Sequence, residues 1–139
     1  MTLYAYTDGA SRGNPGESGI GFIIRNNEGE RVFSAAGYIG QATNNTAEYE
    51  ALLRCLEKAA TLGCTKLVVH SDSELMVRQL RGQYRVKDKK LQKYFEQVRR
   101  VLANAQYTFE INHIERALNR EADDLANVGI DSKQQLVLD

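Results

Sequence analysis

The sequence predicts an α/β fold, a five-stranded mixed sheet flanked by helices, and three observations carry its alternating core. Three apolar segments open the chain, the second and third joined by the turn signal "NNEG", as in an antiparallel meander. A stretch with apolar residues at helical spacing follows. Next comes "KLVVHSD", a continuous apolar run ended by polar residues, the pattern of a strand buried on both faces and therefore covered by helices.

The elements follow in order. Residues 3–8, 19–26 and 31–39 read as the three opening strands. From residue 46 to 62 the stripe Tyr49, Leu52, Leu53, Leu56 and Ala60 marks one helix face, and Gly63 ends it. Residues 66–72 are the fourth strand, 73–81 and 88–104 two helices, and 107–114 the fifth strand. A last helix starts near Asn119 with Ala122, Leu125 and Ala126 inward. The chain of 139 residues, 15.6 kDa, holds one core and no linker, so residues 1–130 are expected to form one domain and 131–139 a short tail.

Composition narrows the function classes. The N-terminus "MTLYAYTD" lacks the basic and apolar segments of a leader, and no run reaches membrane-spanning length, so a cytoplasmic protein is expected, with no membrane partner. Cys55 and Cys64 lack metal or redox spacing and read as reduced structural thiols. The net charge is zero, yet nine basic residues stand between Arg78 and Arg100 against Asp88 and Glu96, a local +7. This segment is either a solvated helix face or a nucleic-acid contact.

In "YTDGASRGNPG" an acidic residue stands where an apolar strand meets a glycine-rich stretch. Asp8 ends the first strand and Asp72 the fourth; a right-handed crossover makes these strands parallel neighbours and brings both carboxylates to one sheet edge. Alone, each Asp also reads as a turn or cap residue. Glu48 has two readings as well. With Asn45 as N-cap it completes a capping box; four residues before Leu52, it also borders the apolar stripe and faces the two Asp residues.

Four blocks, "YTDGASRGNPG", "TNNTAEYEALL", "VVHSDSELMV" and "NREADDLAN", resemble in order the signature blocks of type 1 ribonuclease H and span nearly the whole chain. The resemblance implies the five-stranded sheet and a catalytic carboxylate set at Asp8, Glu48, Asp72 and Asp123. Asp123 matches the motif by following Ala122; nothing else in the sequence chooses it over Asp124. Such hard oxygen ligands suit two Mg²⁺ ions, or Mn²⁺ in their place, about 4 Å apart. The implied division has Asp8 bridging both ions, Glu48 and Asp72 completing one site, and Asp123 the other. The implied reaction is hydrolysis of the RNA strand of an RNA/DNA hybrid to 5′-phosphate and 3′-hydroxyl ends by a monomer, with Glu48 also near a ribose 2′-hydroxyl.

The resemblance further implies substrate contacts from Asn14, Asn44 and Asn45, whose alternative reading is turns and a cap. Three departures stand out. No loop histidine precedes the last helix; His113 falls in a strand, and Arg116 is the candidate replacement. Glu74 stands where some relatives have an amide. The long basic protrusion with tryptophans is missing, and the segment from Arg85 to Lys93, with Lys87, Lys89 and Lys90, is the candidate substitute for binding the hybrid. Two other readings remain open: a superfamily nuclease acting on RNA/RNA or DNA, and a non-catalytic nucleic-acid-binding module.

Overall fold

The computed structural model describes residues 1–135; the tail residues 136–139 lie outside the described residues. Strands β1 (Thr2–Gly13), β2 (Gly16–Arg25) and β3 (Arg31–Ala42) form the meander, and α1 (Asn44–Thr61) crosses to β4 (Lys66–Ser71). Helices α2 (Glu74–Leu80) and α3 (Lys89–Asn104) lead to β5 (Thr108–His113); a 3-10 turn (Arg116–Asn119) then enters α4 (Arg120–Ser132). The sheet order is β3-β2-β1-β4-β5, antiparallel on the meander side and parallel from β1 through β4 to β5. This mixed five-stranded sheet is the expected one.

One face of the sheet packs on α1, with α3 laid against α1 in turn. Leu3, Ala5, Phe22, Ile24, Leu67 and Val69 meet Tyr49, Leu52 and Leu56 of α1 there, and Val98 of α3 joins the same core. The other face carries α4 across β1, β2 and β3, with Ala122, Ala126 and Ile130 buried. Cys55 and Cys64 are buried and free. Among the described residues no helix is long and apolar enough to cross a membrane.

One expectation changes. Asp8 does not end β1: the strand runs on to Gly13, paired with β2 down to Gly13 opposite Gly16. The glycines and serines of "GASRG" suggested a loop, but they are a strand end whose small residues admit close neighbours. Ser11 and Ser18 both donate to the Ala42 carbonyl oxygen, at 2.9 and 3.1 Å, tying the β1–β2 hairpin to the end of β3. Helix α4 continues to Ser132, and the Tyr38 amide donates to the Gln134 carbonyl at 2.7 Å.

Candidate active site

The pairing of β1 with β4 stops at Thr7 opposite Ser71, while β1 continues along β2. Asp8 is therefore the first β1 residue without a β4 partner. It is only 4% exposed. Asp72 follows directly on β4 and stands before α2, whose N-cap, Ser73, accepts from the Met76 amide. The two carboxylates thus emerge where the parallel strands part, the place open sheets offer to ligands.

Glu48 arrives from α1. At Gly9 the helix backbone comes so near the strand that an added Cβ would lie 2.2 Å from the Ala47 carbonyl carbon and 2.4 Å from the Glu48 nitrogen. The Gly9 amide donates to Glu48 Oε1 at 3.0 Å, fixing this buried side chain against the strand. The capping-box reading fails. The N-cap is Thr43, whose hydroxyl accepts from the Thr46 amide at 3.2 Å, and Asn45 is the second residue inside the helix. The next free N–H, that of Asn44, donates to Asn14 Oδ1 at 3.1 Å.

Asp123 comes from α4 on the opposite face. Asn119, fully buried, donates from Nδ2 to the Thr7 carbonyl at 2.8 Å and pins the start of α4 beside Asp8. Gly21, the β2 partner of Asp8, lets α4 settle: a Cβ there would sit 2.6 Å from the Ala122 carbonyl oxygen. Asp123 consequently lines one pocket of about 600 Å³ with Asp8, Glu48 and Asp72. Asp124 is exposed and lies off that pocket, so the helix phase separates two neighbours that the sequence leaves equivalent.

Oxygen atoms of Asp8, Glu48 and Asp72 lie within 4.8 Å of one another. Burial, then the charges of Asp72 and Asp123, push the Asp8 carboxyl up to about 8 from 3.8. Burial and the Asp8 and Asp72 charges likewise hold Glu48 well above the usual carboxylate range, against the opposing pull of the Gly9 N–H. Packed carboxylates without histidine or thiolate among them suit a hard divalent cation, whose charge would replace the protons that relieve their repulsion.

Residues 6–129 match the reverse transcriptase-like family of proteins. The chain is 40% identical over 129 residues to a ribonuclease HI of Halobacterium salinarum, covering 93% of this chain and 64% of that protein. It is 34% identical over 142 residues to a ribonuclease H of Coxiella burnetii, covering 93% and 90%. The chain belongs to the type 1 ribonuclease H family. A crystal structure of LC11-RNase H1 in complex with an RNA/DNA hybrid superposes with a TM-score of 0.90 at 40% identity, over 94% of this chain and 97% of that one.

Within this family the chain is a form without a long protrusion: α2 passes to α3 through residues 81–88 alone. Arg116, Asn44 and Asn45 line the carboxylate pocket, and Asn14 stands outside it at the hairpin turn. Glu74 is on the rim, paired with Arg78 at 3.0 Å. Lys89 and Lys90 are not brought to the carboxylates. They line a separate groove of about 850 Å³ between α1 and α3, and Lys87 is exposed ahead of α3. His113 is exposed at the end of β5. His70 is half-buried and stacks on Tyr6 with ring centroids 4.7 Å apart. Sequence reasoning missed Asn119, Arg12 and Asn127. Their contacts join segments more than 100 residues apart, and no local pattern signals them.

Proposed function

We propose that this chain is an endonuclease that uses divalent cations, Mg²⁺ first and Mn²⁺ in its place, to hydrolyse the RNA strand of RNA/DNA hybrids. The observation that carries the reading is the convergence of Asp8, Glu48, Asp72 and Asp123 from three elements and one strand end on a single pocket. These four side chains would hold the cations, and bound there the ions supply an activated water and neutralise the leaving 3′-oxygen. Products are a 5′-phosphate and a 3′-hydroxyl.

The protein's own groups do the positioning. The Gly9 N–H presents Glu48 in one orientation, and burial of Asp8 keeps water from screening its charge. Asn44 and Asn45, exposed on the first turn of α1, meet the sugar edge of the substrate, and Asn14 steadies that turn through the Asn44 amide. Arg116 faces the pocket from the 3-10 turn. A guanidinium does not release its proton at working pH, so Arg116 attracts phosphate and eases departure of the product rather than relaying a proton. Lys87, Lys89, Lys90 and Lys93 hold the hybrid's backbone at a distance from the chemistry. The catalytic domain is residues 1–130 with 131–139 as its tail, acting as a cytoplasmic monomer.

The test is a panel of labelled RNA/DNA, RNA/RNA and DNA/DNA duplexes with Mg²⁺, Mn²⁺ or EDTA. Cleavage of the hybrid's RNA strand, dependent on metal and faster than on the other duplexes, is expected. Equal cleavage of DNA/DNA would reassign the chain to another nuclease activity of the fold, and no cleavage of any duplex would make it a binding module.

A further inference from the structure

A chain of contacts runs from the hairpin tip to the fourth carboxylate. Arg12 Nη1 donates to Asp131 Oδ1 at 2.6 Å, and Arg12 Nη2 donates to Asn127 Oδ1 at 3.2 Å. Asn127 Nδ2 in turn points at Asp123, 3.1 Å from its carbonyl oxygen and 3.5 Å from its Oδ1. Arg12 and Asn127 line the same pocket as the carboxylates.

The direction of these bonds matters. A guanidinium carries donors and no acceptor, so it pairs only with the oxygen side of the Asn127 amide. With Oδ1 turned to Arg12, the NH₂ group must turn to Asp123. Without Arg12 the amide keeps only its bond to the Asp123 carbonyl oxygen, and a flipped amide would set a lone pair against a carboxylate. Asp131, one helical turn further along α4, keeps the guanidinium in place.

We infer that Arg12 and Asn127 are positioning residues, which fix the orientation of the Asp123 carboxylate for cation binding by locking one side-chain amide. The inference rests on the proposed cation site. It joins the hairpin "GASRGNPG" to α4 by an electrostatic link, in addition to the backbone packing already described.

The effect has an unusual sign. Removing a positive side chain beside a cation site should by Coulomb's law tighten cation binding. Loss of the lock should loosen it, because outer partners of metal ligands contribute to affinity through ligand orientation. The measurement is calorimetric titration of Mg²⁺ into the full chain and its Arg12→Ala, Asn127→Ala and double variants, together with KM for the hybrid. Each single variant should bind Mg²⁺ about tenfold more weakly. The double variant should be no weaker than the poorer single one, since both cut the same link. Unchanged or tighter Mg²⁺ binding by Arg12→Ala would overturn the inference, as would single effects that multiply. A rise in KM with Mg²⁺ affinity intact would also overturn it, by making Arg12 a phosphate contact. Failure of the parent to bind Mg²⁺ would instead remove the cation site itself.

Discussion

Asp123 and Asp124 differ in the sequence only by one position and in the structure by the pocket. Asp123→Asn is expected to lower metal-dependent cleavage at least about a hundredfold, given that a missing ligand weakens transition-state stabilisation of several kcal/mol. Asp124→Asn should stay within about twofold of the parent, and equal rates for the two variants would undo the assignment. Asp8 adds a pH dependence. Its carboxyl lies at about 8 in the folded, metal-free protein against an ordinary 3.8, so the folded state holds a proton that the unfolded chain has released. That proton favours folding at low pH and is lost as pH rises, hence the stabilisation fades between about pH 4 and about pH 8. Melting temperature in EDTA should fall across this window in the parent and fall less in Asp8→Asn. At this scale the candidate carboxylates were legible because each lies within a recognisable block. Arg12 and Asn119 were not, since their partners are distant in the chain, nor was Asn127, whose link to Arg12 spans 115 residues.

At the scale of elements, two close approaches set the site: α1 on Gly9 and α4 on Gly21. A methyl group on Gly9 meets backbone atoms of Ala47 and Glu48, which cannot turn aside as a side chain can. Gly9→Ala should therefore cost about 1–3 kcal/mol in urea unfolding, the range for overpacking, and should displace Glu48. Parental stability in that variant would contradict the approach described. The helix and strand order could be read from periodicity, because the α1 stripe and the β4 run are set by burial. The end of β1 and the start of α1 could not. Glycine and serine suit a loop and a crowded strand end equally, and Thr43 and Asn45 are both residue types that suit an N-cap.

Across the whole molecule the lysines of α3 stand apart from the carboxylate pocket. The carboxylate pocket lies at the strand divergence, whereas Lys89, Lys90, Lys93 and Arg100 of α3 line the groove against α1. If the latter bind phosphates, replacing Lys87, Lys89, Lys90 and Lys93 together by Ala should weaken hybrid binding. Its salt dependence should flatten by about 0.9 log units per log unit for each phosphate no longer neutralised. An unchanged slope would leave these lysines as a solvated face. The local charge of this segment was plain in the sequence, but its separation from the pocket needed the sheet order.

The central claim is that Asp8, Glu48, Asp72 and Asp123 share one cation site and repel one another without it. Thermal melts of the parent and Asp8→Asn near neutral pH, each in EDTA and in millimolar Mg²⁺, test it most directly. In EDTA the variant should melt above the parent, because folding of the parent must place a proton on Asp8, at about 8 in the folded state against an ordinary 3.8, whereas an amide needs none. Mg²⁺ should raise the parent's melting temperature, since it binds the folded state alone, and raise the variant's by less. A variant that melts below the parent in EDTA and keeps the full Mg²⁺ shift would contradict the shared site and return Asp8 to a structural part in the strand.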